Sequence, residues 1–272
     1  MDPQTRKHKI KEMFDAASAG YDMPALRFFS HAADELVERL ELTGGEHILD
    51  VACGTGTVTL ACARRLRNGR VTGVDLSEGM LEKARIKLEI YGFGNVEFRC
   101  ADLENMRLET QTFDGACCGF GLFFLPDMQS ALEAIAAHVK ADGKIGISSF
   151  TGQVMEPLSQ AFTDRIQTYG VLIPPLAWKR LDEAAKHHDL YEAASMNQVE
   201  THRMQAGYYL AGFAEWWDIL WYSGFRGLLN QLSGDDLTRF KQEHQHEIES
   251  LATTEGLWLN VEVLISVERK PR

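Results

Sequence analysis

A short glycine-rich turn constrains this sequence more than any other feature. Residues 46–52 read as an apolar strand, the turn Cys53-Gly54-Thr55-Gly56 follows, and a helical pattern then runs to residue 67. Gly54 and Gly56 have no Cβ, so the backbone can approach a ligand closely, and the free N–H groups of the helix start point to the same place. The pattern predicts a strand, a tight turn and a helix that together form a ligand-binding edge.

Two acidic residues follow at the ends of the next two predicted strands. Asp75 ends the strand at 70–75, and Asp102 comes just after the strand at 96–100. The carboxyl ends of parallel strands meet at one edge of a sheet, where such folds bind their ligands. Gly54, Asp75 and Asp102 therefore predict a nucleoside pocket. Asp50, inside the first strand, is predicted to brace the turn.

Strand and helix patterns alternate through the first 150 residues. Two helices are predicted at 8–21 and 24–42, and further strands at 113–118 and 144–149. Alternation of this kind predicts an α/β fold, a Rossmann-like, mostly parallel seven-stranded sheet with helices on both faces. The predicted divisions are an N-terminal helical segment at 1–42, a sheet core at 43–150, a mostly helical insertion at 151–256 with a strand near 198–204, and a final strand of the core sheet at 257–272.

Composition excludes several classes of partner. The chain has 272 residues, 45% hydrophobic residues and a formal net charge of −11, so we expect no nucleic-acid partner. No apolar stretch is long enough for stable membrane insertion, and residues 1–4 lack the apolar start of a signal peptide, so a cytoplasmic protein is expected. The five cysteines show no CxxC spacing, and no metal site is predicted. The oligomeric state stays open, with a homodimer as one alternative.

The turn departs from the dinucleotide fingerprint. That fingerprint requires a third glycine, and Thr59 occupies its position here. The fingerprint also has no acid at the end of the third strand, where this sequence has Asp102, a residue that suits an adenine amino group. The residues therefore disfavour a nicotinamide-dependent dehydrogenase, which remains an alternative.

Several segments resemble one family in the family's own order. The segment 50–56 (DVACGTG) resembles the first motif of class I S-adenosylmethionine-dependent methyltransferases, and later motifs are resembled by 75–81, 102–103, 113–114 and 139–144. Residues 14–22 (FDAASAGYD) and 119–122 (GFGL) are most similar to the ubiquinone/menaquinone C-methyltransferase group. Two positions depart from this group. Ala52 stands where the group often has glycine, and Phe123-Phe124 replace polar residues, so the resemblance does not extend to a quinone as the substrate.

The resemblance implies S-adenosylmethionine as cofactor, S-adenosylhomocysteine as product, and a role for each matching residue. Ala52, Gly54, Thr55 and Gly56 form the turn beside the methionine part of the cofactor. Asp75 binds the ribose hydroxyls. The adenine is contacted by Leu76, Met80, Asp102 and Leu103. Gly119 and Phe120 face the methionine end and the methyl acceptor. Tyr21 reaches the cofactor from an N-terminal helical lid. The insertion is implied to be a substrate lid.

Aromatic residues suggest where the acceptor binds. Candidates for the acceptor pocket are Phe123, Phe124, Trp178, Tyr208, Trp217 and Trp221, with ordinary packing of the inserted helices as the alternative. A pocket of this composition favours a small lipophilic or aromatic acceptor. Tyr21 and His202 are the catalytic candidates, whereas His187, His188, His244 and His246 are expected to face solvent.

The sequence thus predicts an S-adenosylmethionine-dependent methyltransferase that transfers a methyl group in line to a small acceptor. Two alternatives besides the dehydrogenase stay open. One is a methyltransferase acting on RNA or protein, and the other is a noncatalytic binder of S-adenosylmethionine or a lipid.

Overall fold

The computed structural model describes residues 3–106 and 109–272, so the first two residues of the predicted N-terminal segment lie outside it. Within these ranges the strands are β1 (His47–Val51), β2 (Arg70–Asp75), β3 (Val96–Cys100), β4 (Phe113–Gly119), β5 (Val139–Phe150), β6 (Glu200–Gln205), β7 (Tyr208–Leu210), β8 (Leu257–Leu259) and β9 (Glu262–Arg269).

Helices cover both faces of the main sheet. The α-helices of the described residues are α1 (Pro3–Ala17), α2 (Phe28–Leu40), α3 (Thr57–Arg65), α4 (Glu78–Tyr91), α5 (Met128–His138), α6 (Leu158–Gln167), α7 (Ala184–Ala193), α8 (Phe213–Tyr222), α9 (Arg226–Leu229) and α10 (Gly234–Ser250). Short 3₁₀ helices span Ser18–Gly20, Pro24–Leu26, Leu103–Asn105, Leu122–Phe124 and Ala177–Leu181.

The main sheet has the predicted class of topology. In the described residues it contains seven strands in the order β3-β2-β1-β4-β5-β9-β6. Strands β1 to β5 pair in parallel, while β9 runs antiparallel to both β5 and β6. The direction of the crossovers reverses between β1 and β4, which makes that point the topological switch where α/β sheets bind ligands. The predicted Rossmann-like sheet is confirmed.

Local sequence signals fix several helix boundaries. The Ser77 side chain accepts a hydrogen bond from the Met80 N–H and caps α4, and Asp127 accepts from the Ser130 N–H and caps α5. Gly92 ends α4 in the left-handed conformation, with φ +70°.

The core is divided by the main sheet into two layers. Successive strand residues face opposite sides, so Ile48 packs with α2 and α3 and Leu49 packs with α5 and α7. The first layer continues into the insertion, where Trp216 and Phe240 are fully buried. The insertion is therefore packed onto the sheet.

The last segment of the chain differs from the prediction. Only β9 belongs to the main sheet, whereas β8 pairs with β7 in a separate two-stranded sheet. The two residues between β8 and β9 bond elsewhere: the Asn260 carbonyl accepts from the Met155 N–H at 2.6 Å, and the Val261 carbonyl accepts from the Ala206 N–H at 2.7 Å. These bonds interrupt the strand, so the prediction of a single strand over 257–272 was wrong.

The described part of the chain contains no helix that is both long and apolar enough to cross a membrane.

Candidate cofactor cleft and aromatic cavity

An open cleft of about 1000 Å³ lies at the carboxyl ends of β1, β2 and β4, beside the topological switch. Val51 and Ala52 contribute its floor after β1, and Gly119 contributes after β4. Residues of α1 form the facing wall, so the cleft lies between the sheet edge and the first helix.

The glycine turn forms one side of the cleft through its backbone. Ala52, Gly54 and Gly56 have φ of +52°, +55° and +81°, the left-handed region that favours glycine. No atom lies within 4 Å of the position that a Cβ on Gly54 would take, so a side chain there would enter the cleft. At Gly56 the same Cβ would lie 2.8 Å from the Phe98 ring. Gly54 therefore leaves room for a ligand, and Gly56 allows the Phe98 ring to pack closely against the turn.

Asp75 lies in the cleft as a well-positioned carboxylate. Its Oδ2 accepts from the Gly54 N–H and its Oδ1 from the Ser77 N–H, each at 2.8 Å. Burial raises the pKa of Asp75, while the backbone donors act in the opposite direction. Each oxygen keeps a further acceptor site, which suits a pair of ribose hydroxyls. The open space at Gly54 and this carboxylate fit a nucleoside.

Asp50 lies beneath the turn and does not line the cleft. Thr59 Oγ1 donates to Asp50 Oδ2 at 2.5 Å, and the Cys117 thiol lies 3.6 Å from Oδ1. Burial raises the pKa of Asp50 to about 7. The residue therefore braces the start of α3 rather than the amides of the turn.

Asp102 lines the far end of the cleft and is already paired. Lys7 of α1 donates to Asp102 Oδ2 at 2.6 Å and also contacts Glu104. Burial acts to lower the pKa of Lys7, but hydrogen bonds to these two carboxylates raise it above its usual value. A carboxylate oxygen offers two acceptor sites, so Asp102 can hold Lys7 and still accept from an adenine amino group.

Helix α1 is attached to the sheet edge at both ends of the cleft. Asp15 accepts from Ser77 Oγ at 2.5 Å and from the Gly79 N–H at 3.1 Å. Ile10 and Phe14, one helical turn apart, line the cleft on the same face of α1. Sequence reasoning missed these contacts, although the spacing of the two apolar residues was a signal that could have identified this face.

A second cavity, which we call the aromatic cavity, adjoins the cleft and has a volume of about 550 Å³. Its described lining is Phe14, Tyr21, Phe28, Phe29, Phe120, Phe123, Phe124, Phe150, Val154, Met155, Trp178, Ser223, Gly224 and Phe225. Four rings line both cavities: Phe14, Tyr21, Phe120 and Phe124. The two spaces therefore share a wall made of aromatic side chains.

Few polar groups face the aromatic cavity. Of the described lining residues none carries a charged side chain, and side-chain N–H or O–H groups come from Tyr21, Trp178 and Ser223. Burial, followed by the charges of Asp75 and Asp22, raises the pKa of Tyr21. The phenol stays protonated at neutral pH, so Tyr21 can donate a hydrogen bond but is a poor general base.

Most of the predicted cofactor residues lie together in the structure. Those that line the cleft are Tyr21, Ala52, Gly54, Asp75, Leu76, Met80, Asp102, Leu103, Gly119 and Phe120. Thr55 and Gly56 do not line it. Thr55 is buried and donates to Asp22 Oδ1 at 2.8 Å, which joins the turn to the segment after α1.

The predicted acceptor residues divide into two sets. Phe123, Phe124 and Trp178 line the aromatic cavity. Tyr208, Trp217 and Trp221 line neither space: Tyr208 donates to the Ala25 carbonyl at 2.6 Å, and Trp217 and Trp221 stack on each other at 6.0 Å. These three pack the insertion, which was the alternative considered for the aromatic residues.

The histidines also differ from expectation. His202 lies on β6, at the edge of the main sheet, and lines neither cavity. His187 and His244 are fully buried, so the prediction that they face solvent was wrong. His187 is hydrogen-bonded to Ser149 and Ser266 at 2.7 Å each, and His244 accepts from the Trp216 indole at 2.9 Å. Burial lowers the pKa of both histidines to about 4.

A Rossmann-like sheet with a glycine turn and two carboxylates at its strand ends defines an enzyme class that binds a nucleoside cofactor. The profile of the family described as "Methyltransferase domain" matches residues 48–143. A demethylmenaquinone methyltransferase of Bacillus cytotoxicus is 30% identical over 198 residues, which are 71% of this chain and 82% of that protein. The chain belongs to the class I S-adenosylmethionine-dependent methyltransferases, and S-adenosylmethionine is its cofactor.

A second relative comes from another genus. The aklanonic acid methyltransferase of Streptomyces sp. (strain C5) is 30% identical over 150 residues, which are 55% of this chain and 68% of that protein.

Solved structures agree on the fold. The YcgJ protein of Bacillus subtilis superposes with a TM-score of 0.60 at 17% identity and covers 89% of this chain and 99% of that one. The S-adenosylmethionine complex of Haemonchus contortus phosphoethanolamine N-methyltransferase 2 gives 0.56 at 14% identity, with 94% and 60% covered. At these identities the likeness concerns the fold.

Proposed function

We propose that this enzyme methylates a small, lipophilic, aromatic acceptor bound in the aromatic cavity. The observation that carries the proposal is the shared wall: Phe14, Tyr21, Phe120 and Phe124 line both spaces, so an acceptor in one lies beside a cofactor in the other. An uncharged cavity lined by rings suits an apolar, flat molecule better than a sugar or a peptide.

The proposed residue roles follow the placement in the cleft. Asp75 binds the ribose hydroxyls, Asp102 and Leu103 bind the adenine edge, and Leu76 and Met80 pack on its ring. The backbone at Ala52, Gly54 and Gly119 holds the methionine part. Thr55 supports the turn through its hydrogen bond to Asp22.

Methyl transfer from this cofactor requires no nucleophile from the protein, because the methyl group is already activated. When bound, S-adenosylmethionine supplies a sulfonium methyl group that an electron pair of the acceptor takes, leaving S-adenosylhomocysteine. The protein holds the acceptor in line and excludes water, and orientation of this kind can contribute roughly 7–11 kcal/mol in favourable systems. The described lining of the aromatic cavity offers no ionised base, so the acceptor itself must have a readily lost proton or an available lone pair.

Names of relatives suggest the first acceptors to test. The proteins named demethylmenaquinone methyltransferase and aklanonic acid methyltransferase are similar to this chain, so demethylmenaquinol and aklanonic acid are reasonable members of a panel. A cytoplasmic location stays a prediction, and the oligomeric state stays open with a homodimer as one alternative.

The test is transfer of labelled methyl from S-adenosylmethionine into host-cell extract and into this panel, followed by organic, aqueous and macromolecular fractionation. Label in the organic fraction, lost in a Phe150→Ala variant, supports the proposal. Label in RNA or protein would replace the acceptor class. Cofactor binding with no transfer to any fraction would favour the noncatalytic binder.

A further inference from the structure

The side chain of Trp178 carries a buried polar group without a described partner. Its indole Nε1 is shielded from solvent, and no hydrogen bond to it is found in the described residues. Three other buried side-chain atoms share this condition there, on His47, Thr151 and Glu268, and none of those residues lines either cavity. Among the described residues, Trp178 is thus the one that both carries such an atom and lines a candidate ligand space through its ring.

Water is a poor partner for this N–H. A buried water needs two to four polar neighbours, and the aromatic cavity offers mainly rings. The nearest ring contact of Trp178 is an edge-to-face arrangement with Phe225, at 5.8 Å between centroids. An unpaired N–H in such surroundings carries a desolvation cost that a ligand oxygen would remove.

The segment that carries Trp178 is held firmly in place. The following Arg180 donates to the carbonyls of Phe123 and Pro126 at 2.9 Å each and also contacts that of Leu125. Ser149 Oγ donates to the Leu181 carbonyl at 2.5 Å. Trp178 therefore belongs to a 3₁₀ helix fixed to β5 and to the loop after β4, and these contacts fix its position beside the aromatic cavity.

We propose that the Trp178 indole N–H selects acceptors that carry an oxygen, by donating a hydrogen bond to it. This inference rests on the proposed function, since it places the acceptor in the aromatic cavity. Because the nitrogen is shielded, the acceptor must part the neighbouring rings to reach it. The acceptor class is then an aromatic compound with a carbonyl, phenolic or ether oxygen directed toward Trp178, rather than a pure hydrocarbon. The residue determines specificity and takes no part in the transfer step.

The test uses two probes of nearly equal shape. Binding of 2-acetylnaphthalene, which has a carbonyl oxygen, is compared with binding of 2-ethylnaphthalene, which has none, to the protein saturated with S-adenosylhomocysteine. Trp178→Phe keeps an aromatic ring and removes the N–H. Trp258→Phe, in the two-stranded sheet and away from both cavities, is the matched control.

We expect Trp178→Phe to weaken 2-acetylnaphthalene about tenfold, the size of one hydrogen bond, and to leave 2-ethylnaphthalene within about twofold. Trp258→Phe should change neither. Equal loss of both probes in Trp178→Phe, or no loss of either, would overturn the inference. Failure of wild-type protein to bind both probes would instead count against the aromatic cavity as an acceptor site, and thus against the proposed function.

A second measurement does not depend on the variant folding. The Trp178 indole ¹H–¹⁵N resonance, assigned by elimination after substitution of each of the other four tryptophans, should move downfield with 2-acetylnaphthalene and much less with 2-ethylnaphthalene. An indole resonance that responds equally to both probes contradicts a hydrogen bond.

Discussion

The cofactor cleft and the aromatic cavity are neighbours that share a wall, yet they are built in different ways. The cleft lies between short segments at strand ends and one face of α1, and on the strand side a carboxylate is held by backbone N–H groups. The aromatic cavity is made by side chains from segments far apart in the chain, such as Phe29, Phe150 and Phe225. Binding in the first depends on main-chain geometry and charge, and binding in the second on ring surfaces.

The largest expected effect concerns the Asp75 carboxylate in the cofactor cleft. Asp75→Ala should weaken S-adenosylhomocysteine about 10²–10³-fold in calorimetry, because two hydrogen bonds from ribose hydroxyls to a carboxylate are lost. The control is Asp164→Ala, an exposed residue on α6. Unchanged affinity in Asp75→Ala, with an unaltered melting temperature, would remove Asp75 from the cofactor site.

The second prediction tests whether the two spaces can be separated. Phe29 lines the aromatic cavity and not the cleft, and it stacks on Tyr21 at 5.1 Å. Phe29→Ala should lower kcat/KM for the acceptor about 10- to 100-fold through lost ring surface, and leave cofactor affinity within about threefold. Trp217→Ala, which removes a ring from outside both cavities, should affect thermal stability more than either ligand. Equal losses for both ligands in Phe29→Ala would show that the division between the spaces is false.

The third prediction concerns two buried groups behind these spaces, His187 and Asp50, which line neither of them. The pKa of His187 is lowered to about 4 by burial, so the unfolded state binds more protons between about pH 6.5 and 4, and this group's contribution to stability is lost as pH falls through that range. The pKa of Asp50 is raised to about 7, so its contribution is lost as pH rises from about 4 to 7.

The two variants should therefore change the pH profile in opposite directions. In urea unfolding, we expect His187→Gln to reduce the loss of unfolding free energy that accompanies a fall in pH from about 6.5 to 4. We expect Asp50→Asn to reduce the loss that accompanies a rise in pH from about 4 to 7. Each change should be on the order of 1–3 kcal/mol. Parallel profiles for wild type and both variants would contradict these protonation states.

The smallest expected effect concerns the backbone of the turn. Ala52 has φ +52°, a conformation that strains any residue with a Cβ. Ala52→Gly should raise the free energy of unfolding by up to about 1 kcal/mol and change cofactor affinity less than about twofold. A large loss of cofactor affinity would show that the Ala52 methyl group contacts the ligand.

The same contrast explains how far sequence analysis could reach. Gly54, Asp75 and Asp102 were predictable because each follows directly from a strand pattern, and parallel strands bring their ends together. Phe29 and Phe150 carry no such local signal, since only the packing of α2 against β5 brings their rings to one cavity. His187 was misjudged because its charged neighbours suggested a solvent face, whereas its partners Ser149 and Ser266 come from distant strands.

The rings common to both spaces have a thermodynamic consequence. Phe14 belongs to α1 and touches both the cleft and the aromatic cavity, while Asp15 beside it is bonded to Ser77. Any shift of α1 that accompanies filling of the cleft changes the wall met by the acceptor. Linkage then requires reciprocity: the factor by which the cofactor alters acceptor affinity equals the factor by which the acceptor alters cofactor affinity. Under the proposed function, a shift of α1 on cofactor binding would therefore couple the occupancy of the cleft to that of the aromatic cavity.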